Sequence, residues 1–439
     1  MNFVDAIAQN LSAAILSVEW TLQAVDEALV DVLGAVCKRE RTKLLRDLFA
    51  EHATYAPPPH WLADFLRGRK FIQNAARNTS RVAVVLSPPL FTPTERFRAL
   101  DIPKLATPHD LAVWLGLSDA ELAWFADLRR TQAKTQIKTL QHYDYHFIPK
   151  TKGPPRLLEA PKSRLKAIQR RILREILDAV PVHAAAHGFV AGRSCVGAAS
   201  RHAGEALVVA VDLKDFFLTA SMARVYALFR SLGYPSAVAD ALTRLCGAST
   251  PQHVFDVLAP EQRHDFETRK RFEQLHLPQG APTSPALANL VAFRLDLRHA
   301  GLARRFDAVY TRYADDLAFS GDDAFARKSR SFLAAVDTIV ADEGFTLNAR
   351  KTRLMRRSGA QRVTGIVVND HINVPRAHYD QLKAALHGCV TRGPAGENRT
   401  GACDFRAHLD GRVAWVETLN PARGAKLRIL FERIDWRAR

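Results

Sequence analysis

The chain has 439 residues and a formal net charge of +17. This length allows two or three domains with buried cores. With 47% hydrophobic and 24% charged residues, the composition is that of a globular protein and excludes a disordered one. A protein this basic usually meets a polyanion, and nucleic acid is the first candidate. A solvated arginine-rich surface is the alternative.

The five cysteines lie far apart in the sequence, and no two of them form a Cys-x-x-Cys pair. This spacing argues against a disulfide framework and against a zinc site, and it favours a reducing cytoplasm. No basic residue precedes Lys38, so the sequence predicts no secretory signal. No run approaches the roughly 20 apolar residues of a membrane span, so no membrane partner is expected.

Residues 1–135 are predicted to be mostly helical. Phe3–Val36 has the pattern of two packed helices, and Val82–Leu86 that of a short buried strand. Thr107 precedes Pro108 as the N-cap of a further helix, and Ser118 to Glu121 has the pattern of a capping box. No catalytic constellation is found in this region.

Two short strands are predicted next, Phe147–Lys150 and Arg156–Pro161, followed by an amphipathic helix over Ser163–Leu177. From Lys150 to Arg174 there are nine basic residues and one acidic residue. Such an excess suits a surface that grips phosphates, and a solvated helix face is the alternative.

Leu207–Val211 is a continuous apolar run, which is typical of a strand buried on both faces, and Asp212 stands at its end. Burying a carboxylate there costs free energy unless it is hydrogen-bonded or binds a metal ion. The alternative is an Asp that only caps the end of the strand. Further on, Leu277–Pro285 is rich in Pro and Gly, and it precedes a predicted helix over Ala286–Leu297.

Val309–Ser320 is predicted to form a tight β-hairpin with Asp315 and Asp316 at its tip. Two adjacent carboxylates repel each other unless a cation neutralises them. Asp is also common in turns for local reasons, so the hairpin alone does not identify a site. After it, the pattern predicts a helix over 325–342, a β-like segment over 363–369, and C-terminal helices over 379–386, 405–419 and 424–434.

Asp212, Asp315 and Asp316 together suit nucleotide transfer. Two Mg²⁺ ions about 3.5–4 Å apart activate an attacking hydroxyl and hold a triphosphate in such reactions. Mg²⁺ prefers oxygen ligands and keeps several waters, so two or three carboxylates suffice. The sequence therefore predicts a site for two Mg²⁺ ions, which Mn²⁺ would also fit.

The order and spacing of these segments resemble those of a reverse transcriptase of the right-hand polymerase class. The resemblance covers about residues 143–439. It rests on Asp212 with Phe216 and Phe217 (motif A), Leu277–Pro285 (motif B), Tyr313–Asp316 (motif C), Gly344–Lys351 (motif D), and the fingers segments Ile148–Lys150, Arg156 and Leu165–Arg170.

The resemblance implies an α+β fold with fingers, palm and thumb, and an antiparallel palm sheet. The expected division is a helical N-terminal extension over 1–135, fingers over 136–205, a palm with fingers insertions over 206–372, and a thumb over 373–439.

The subtype resembles bacterial retron reverse transcriptases. Val363-Thr364-Gly365 is similar to their Val-Thr-Gly motif, which in the family helps to recognise a cognate structured RNA. Ala198–His202 is similar to their Asn-Ala-x-x-His motif, with Ala198 where Asn is expected. The resemblance implies an RNA-directed DNA polymerase that uses a non-coding RNA of its own locus as template and as primer. Its product would be a branched RNA–DNA molecule (msDNA), which acts with an effector protein in antiphage defence.

The resemblance also implies roles for individual residues. Asp212, Asp315 and Asp316 would face the metals, with the Leu213 carbonyl as a further ligand. Phe217 would lie under the sugar, where its ring clashes with a 2′-hydroxyl and favours deoxynucleotides; a core Phe is the alternative. The other expected nucleotide contacts are Lys150 and Arg156 on the triphosphate, Gln279 and Gly280 in the pocket, and Lys351 near the pyrophosphate.

Six residues are expected on the RNA and primer side. Tyr313 would pack beneath the primer end, and Val363, Thr364 and Gly365 would contact the RNA. For His187 and His202 an RNA contact and a purely structural role both remain open.

Three other interpretations compete. The first is another bacterial reverse transcriptase, of the intron-derived, diversity-generating or abortive-infection type; a structured RNA gene just upstream would favour a retron. The second is a non-catalytic RNA-binding scaffold, which loss of any of the three acids would favour. The third is a nucleotide cyclase with a related palm, against which the Pro-Gln-Gly loop and the basic fingers count.

Overall fold

The computed structural model describes residues 3–33, 38–53, 56–70, 72–73, 89–150, 153–399 and 401–437. The strand predicted over Val82–Leu86 lies outside these residues. The described α-helices are α1 (Phe3–Ser17), α2 (Leu22–Leu33), α3 (Lys38–Glu51), α4 (Pro59–Arg67), α5 (Pro108–Leu115), α6 (Asp119–Phe125), α7 (Ser163–Glu175), α8 (Cys195–Ser200), α9 (Phe216–Thr219), α10 (Met222–Ser231), α11 (Ser236–Cys246), α12 (Phe266–Glu273), α13 (Ser284–Val291), α14 (Phe293–Arg305), α15 (Asp323–Asp342), α16 (Arg376–Arg392), α17 (Phe405–Leu419) and α18 (Pro421–Glu432).

The described strands form antiparallel sheets. One is a hairpin of β1 with β2, one has four strands in the order β4-β5-β3-β6, and one is a short hairpin of β7 with β8. The strands are β1 (Tyr143–Ile148), β2 (Arg156–Pro161), β3 (Leu207–Asp212), β4 (Val309–Tyr313), β5 (Asp316–Gly321), β6 (Arg353–Arg356), β7 (Arg362–Val363) and β8 (Ile366–Val367).

The chain divides into two compact units. The first unit comprises Met1–Pro181 and Phe217–Ala292, and the second comprises Val182–Phe216 and Phe293–Arg439. No described helix is both long enough and apolar enough to cross a bilayer. The predicted fingers, palm and thumb boundaries stay predictions.

The N-terminal part of the first unit is helical, as the sequence predicts. Leu11 and Ile15 of α1 pack with Leu29 of α2, Leu48 of α3 and Leu62 of α4 in one apolar core. This burial, rather than local propensity, is what stabilises such short helices.

The predicted caps of α5 and α6 are confirmed. Thr107 and Asp110 bond reciprocally at the start of α5, and Ser118 and Glu121 do so at the start of α6. Each pair satisfies amide groups that the first helical turn leaves unpaired.

The second unit is built around β3, which lies between β5 and β6 and is mostly buried. Its Val208 and Ala318 of β5 belong to an apolar cluster that continues into the C-terminal helices, where Leu382, Leu409 and Leu427 are fully buried. The central strand of this sheet is therefore rigidly supported by the core.

Three local predictions were wrong in detail. The strand predicted over Phe147–Lys150 is β1, which runs over Tyr143–Ile148 and ends before Lys150. The single helix predicted over 286–297 is two helices, α13 and α14, separated at Ala292. The β-like segment over 363–369 folds back on itself, because Thr364 and Gly365 take positive φ values of 51° and 84° and form the turn between β7 and β8.

Candidate active site

Three aspartates meet at one end of the four-stranded sheet in the second unit. Antiparallel pairing of β3 with β5 places Asp212 opposite Asp316. Pairing of β4 with β5 places Tyr313 opposite Asp316, so Ala314 and Asp315 form the hairpin tip. The Leu213 amide donates to the Asp315 carbonyl at 2.9 Å. The strand register thus brings together acids that lie about a hundred residues apart in the sequence.

Asp212 is almost fully buried, and each of its carboxylate oxygens has a partner. Lys351 Nζ donates to one oxygen at 2.7 Å, and Asn348 Nδ2 donates to the other at 3.0 Å. The bond to Asp212 is the main reason that the pKa of Lys351 is raised, and the nearby Asp315 and Asp316 contribute. Lys351 therefore stays protonated beside the acids.

Asp316 has a perturbed acidity. Although its side chain reaches solvent, the protein atoms packed around its carboxyl reduce hydration, and the charges of Asp315 and Asp212 add repulsion. Together they raise the pKa of Asp316 to about 6. A carboxyl perturbed by burial and by neighbouring carboxylates is typical of a functional site.

The donor set fits a hard divalent cation, because carboxylate oxygens are the ligands that Mg²⁺ prefers. The three carboxylates are not arranged around one common metal position: in the described part of the chain, no three His, Cys, Asp or Glu residues are arranged to hold a metal ion. Both oxygens of Asp212 are bonded to Lys351 and Asn348 instead.

A cavity of about 330 Å³ opens beside these acids, within the second unit. Asp212, Asp316, Lys351 and Tyr313 line it. The predicted RNA contacts also line it, and so do two arginines and a methionine that sequence reasoning missed: these further lining residues are Val363, Thr364 and Gly365 with Arg353, Met355 and Arg362.

Comparisons with known proteins identify the family. Residues 148–377 match the family model described as reverse transcriptase (RNA-dependent DNA polymerase). The chain is 42% identical over 334 residues to the retron Mx65 reverse transcriptase of Myxococcus xanthus, which covers 74% of this chain and 71% of that protein. It is 38% identical over 351 residues to the retron Mx162 reverse transcriptase of the same organism, with 75% and 67% covered. It is 31% identical over 302 residues to the retron Ec86 reverse transcriptase of Escherichia coli, with 67% and 81% covered.

The chain belongs to the retron reverse transcriptases. It is an RNA-directed DNA polymerase with the mixed α+β fold of that family, as the resemblance predicted. The departure at Ala198, which is buried in α8, does not change the subtype. The other bacterial reverse transcriptases, the RNA-binding scaffold and the cyclase are set aside by these matches.

Two histidines of this retron reverse transcriptase have different surroundings. His202 is fully buried, and its ring nitrogens bond to Ser320 Oγ at 2.8 Å and to Thr311 Oγ1 at 2.7 Å. Burial lowers the pKa of His202 to about 3, so the ring is neutral. These surroundings favour a structural role for His202 over an RNA contact. His187 is half-buried, and its ring nitrogens make no hydrogen bond within the described residues.

The remaining predicted residues lie in the first unit. Lys150 and Arg156 are exposed at the end of the β1–β2 hairpin where the chain connects the two strands, and Phe217 is half-buried. The Glu159 amide donates to the Gln279 carbonyl at 2.7 Å. Gly280 has φ +130°, and a Cβ there would lie 2.7 Å from the Glu159 carbonyl oxygen.

A buried histidine–glutamate pair that the sequence did not suggest supports this loop. The carboxylate of Glu159 bonds to His276 Nε2 at 3.0 Å and to the Thr250 hydroxyl, and all three side chains are buried. Burial alone would lower the pKa of His276, but the Glu159 carboxylate outweighs it and raises that pKa. The loop that carries Gln279 and Gly280 is therefore tied to β2 by backbone and side chain.

Proposed function

We propose that this retron reverse transcriptase copies a cognate structured RNA of its own locus into DNA at Asp212, Asp315 and Asp316. The observation that carries the proposal is the strand register that sets Asp212 opposite Asp316, beside the hairpin tip. The net charge of +17 supports a nucleic acid substrate.

Asp212, Asp315 and Asp316 would hold two Mg²⁺ ions, with the Leu213 carbonyl as a further ligand. When bound, such ions activate the attacking hydroxyl and stabilise charge on the leaving pyrophosphate. Mn²⁺ also suits carboxylate ligands. The raised pKa of Asp316 supports this assignment, because a cation would relieve the repulsion that raises it.

Lys351 has a second task in this proposal. Its ammonium group lies 2.7 Å from Asp212 and keeps its proton. More than half of its side chain is exposed, so it can also reach a ligand. We assign it to the pyrophosphate, as the group that donates a proton when the leaving oxygen gains charge.

The first unit supplies the nucleotide contacts in the proposal. Lys150 and Arg156 are exposed cations suited to a triphosphate. Gln279 and Gly280 would form the wall of the nucleotide pocket, in the conformation that the contact with Glu159 supports. Phe217 would exclude the 2′-hydroxyl of a ribonucleotide.

The second unit supplies the RNA and primer contacts. Val363, Thr364 and Gly365 form a tight turn on the cavity wall, and the neighbouring Arg353 and Arg362 add positive charge there. Backbone amides and arginines of this kind suit RNA phosphates. Tyr313 would support the primer end, and His187 remains a candidate RNA contact. His202 is left out, because both of its ring nitrogens bond inside the protein.

The product would be msDNA, in which the DNA stays joined to the 2′-hydroxyl of an internal guanosine of the RNA. With the enzyme and an effector protein, it would act in defence against phage. This part of the proposal rests on membership of the retron family.

Expression of the native locus, followed by extraction of nucleic acids, tests the proposed function. We expect a short DNA that survives RNase treatment and is absent when Asp316 is replaced by Asn. The same short DNA in the Asp316→Asn strain, or no DNA from the wild-type locus, would contradict the proposal.

A further inference from the structure

Arg312 is a charged residue of β4 in the β4–β5 hairpin, called the catalytic hairpin below, and it is completely buried two residues before the hairpin tip. A buried guanidinium is unfavourable unless it is paired and hydrogen-bonded. Its partner is Asp296 of α14, which is also completely buried. Arg312 Nε and Nη2 donate to the two oxygens of Asp296 at 2.7 and 2.6 Å, and the Tyr310 hydroxyl donates to one of these oxygens at 2.7 Å. Asp296 thus holds the Nε–Nη2 edge of the guanidinium, and Tyr310 holds Asp296.

A further donor of Arg312 leaves this pair and reaches the hairpin tip. Nη1 donates to the Ala314 carbonyl at 3.1 Å. Ala314 has φ +55°, a conformation that alanine rarely adopts, and it stays there only if its surroundings hold it. Since the Ala314 carbonyl belongs to the peptide unit that leads into Asp315, the bond fixes how the chain enters the two acids.

Other contacts hold the same tip in place. The Arg312 amide donates to the Ala185 carbonyl, and the His187 amide donates to the Arg312 carbonyl, both at 2.7 Å. A Cβ on Gly188 would lie 2.7 Å from the Ala314 nitrogen, so this backbone packs directly on the tip. The Arg312 guanidinium also lies 5.6 Å from the ring centre of Phe216, in the segment that follows Asp212.

We propose that Arg312, oriented by Asp296, is the positioning residue that keeps Asp315 and Asp316 in place relative to Asp212. The inference rests on the proposed role of these three acids. Arg312 touches the catalytic hairpin through Ala314 and the segment after Asp212 through Phe216. It does not contact substrate itself, and it acts through the backbone of the tip.

A purely stabilising ion pair is the competing explanation, and an apolar replacement separates the two. Removing one member of a buried pair leaves a charge without compensation and is strongly destabilising. Replacing both members by apolar residues of similar size is often neutral. The double variant Arg312→Met with Asp296→Leu therefore removes the bond to Ala314 without leaving a buried charge.

The experiment uses the full chain and compares wild type, the double variant and Arg312→Lys. Thermal unfolding, RNA affinity, and kcat and KM for DNA synthesis on an RNA template with a DNA primer are measured. We expect the double variant to unfold near the wild-type temperature and to bind RNA normally. Its kcat should fall by about 100-fold at an almost unchanged KM, the loss typical of a catalytic group misplaced by roughly 1 Å. Faster amide exchange at Asp315 is a readout that does not depend on activity.

Arg312→Lys covers the case in which the double variant does not fold. Lysine keeps the charge next to Asp296 but lacks the planar fork that also reaches Ala314, so kcat should fall in this variant too. Arg305→Met is the matched control: Arg305 is exposed at the end of the helix that carries Asp296, and its loss should leave kcat unchanged.

The outcomes are distinct. Wild-type kcat in a folded double variant or in Arg312→Lys would overturn the positioning role. An active Asp316→Asn variant would show instead that the proposed site is wrong. A dead Asp316→Asn variant with a fully active double variant would reject the inference about Arg312 alone.

Discussion

The hairpin tip of the second unit and the Pro278–Gly280 loop of the first unit are held in similar ways. Each is supported by a completely or almost completely buried pair of titratable side chains, Arg312 with Asp296 for the tip and His276 with Glu159 for the loop. In both, the pair is linked to backbone groups of the functional segment: Arg312 donates to the Ala314 carbonyl, and the Glu159 amide donates to the Gln279 carbonyl.

The two pairs differ in how they respond to pH. Burial would lower the pKa of Arg312, but the charge and hydrogen bonds of Asp296 outweigh it and raise that pKa, so the guanidinium is charged at every working pH. The Glu159 carboxylate raises the pKa of His276, and the imidazole loses its charge when the pH rises above that pKa. The contacts that hold the hairpin tip should therefore not depend on pH. The contacts that hold the Pro278–Gly280 loop should weaken when His276 loses its charge. Changes at the tip should reduce kcat, and changes at the loop should alter KM and substrate choice.

The largest effect is expected from the acids themselves. Asp315→Ala combined with Asp316→Ala should reduce DNA synthesis by at least about 10³-fold, because metal-bound charge stabilisation supplies several kcal/mol. RNA affinity should stay near the wild-type value, as measured by filter binding or anisotropy. Asp337→Ala, at an exposed position of α15, is the control. Full activity in the double variant would rule out the assigned site.

Phe217→Ala should change sugar selectivity. Opening the space under the sugar removes the steric clash with a 2′-hydroxyl, so ribonucleotide incorporation should rise by roughly 10- to 100-fold relative to deoxynucleotide incorporation. The ratio of kcat/KM values for matched ribo- and deoxynucleotides measures this. An unchanged ratio would mean that Phe217 belongs to the core and does not select the sugar.

Gly280→Ala should distort the nucleotide loop. The new Cβ would lie 2.7 Å from the Glu159 carbonyl oxygen, in a backbone conformation of φ +130°. We expect KM for deoxynucleotides to rise by about 10-fold, since strain of about 1–3 kcal/mol must be relieved by moving the loop. Gly301→Ala, in α14 with open space around it, is the matched control and should leave KM unchanged. A normal KM in Gly280→Ala would argue against a role of this loop in the pocket.

The smallest effect is a pH dependence of stability from the His276–Glu159 pair. The pKa of His276 is raised in the folded protein, so its contribution is fully present below its unfolded pKa of about 6.5 and is lost as pH rises through the folded pKa. The melting temperature of wild type minus that of His276→Gln should therefore fall over this range. A constant difference between the two proteins would show that His276 does not titrate.

The sequence predicted the elements that carry the acids, because each depends on a local pattern: an apolar run before Asp212 and a β-prone hairpin around Asp315 and Asp316. The motif order then predicted that they meet. It could not predict the supporting pairs, since Glu159 and His276 lie 117 residues apart and come from different elements. For Arg312, the charge within an apolar strand was a signal that a buried partner must exist, but nothing local identified Asp296.

The dependence on contacts between distant residues also explains why some predicted elements were wrong. The segment over 363–369 has β-prone residues, but the positive φ values of Thr364 and Gly365 turn it back on itself. The break between α13 and α14 at Ala292 has no Gly or Pro to mark it. Both features are set by packing in the folded chain, where tertiary contacts override local propensity.

Binding of Mn²⁺ to the enzyme with its RNA template, primer and deoxynucleotide, followed by electron paramagnetic resonance, tests the central claim most directly. The account predicts that wild type binds Mn²⁺ tightly, and that Asp212→Asn and Asp316→Asn each lose this binding while RNA affinity is kept. Tight Mn²⁺ binding that survives in both variants would contradict the assignment of the catalytic centre.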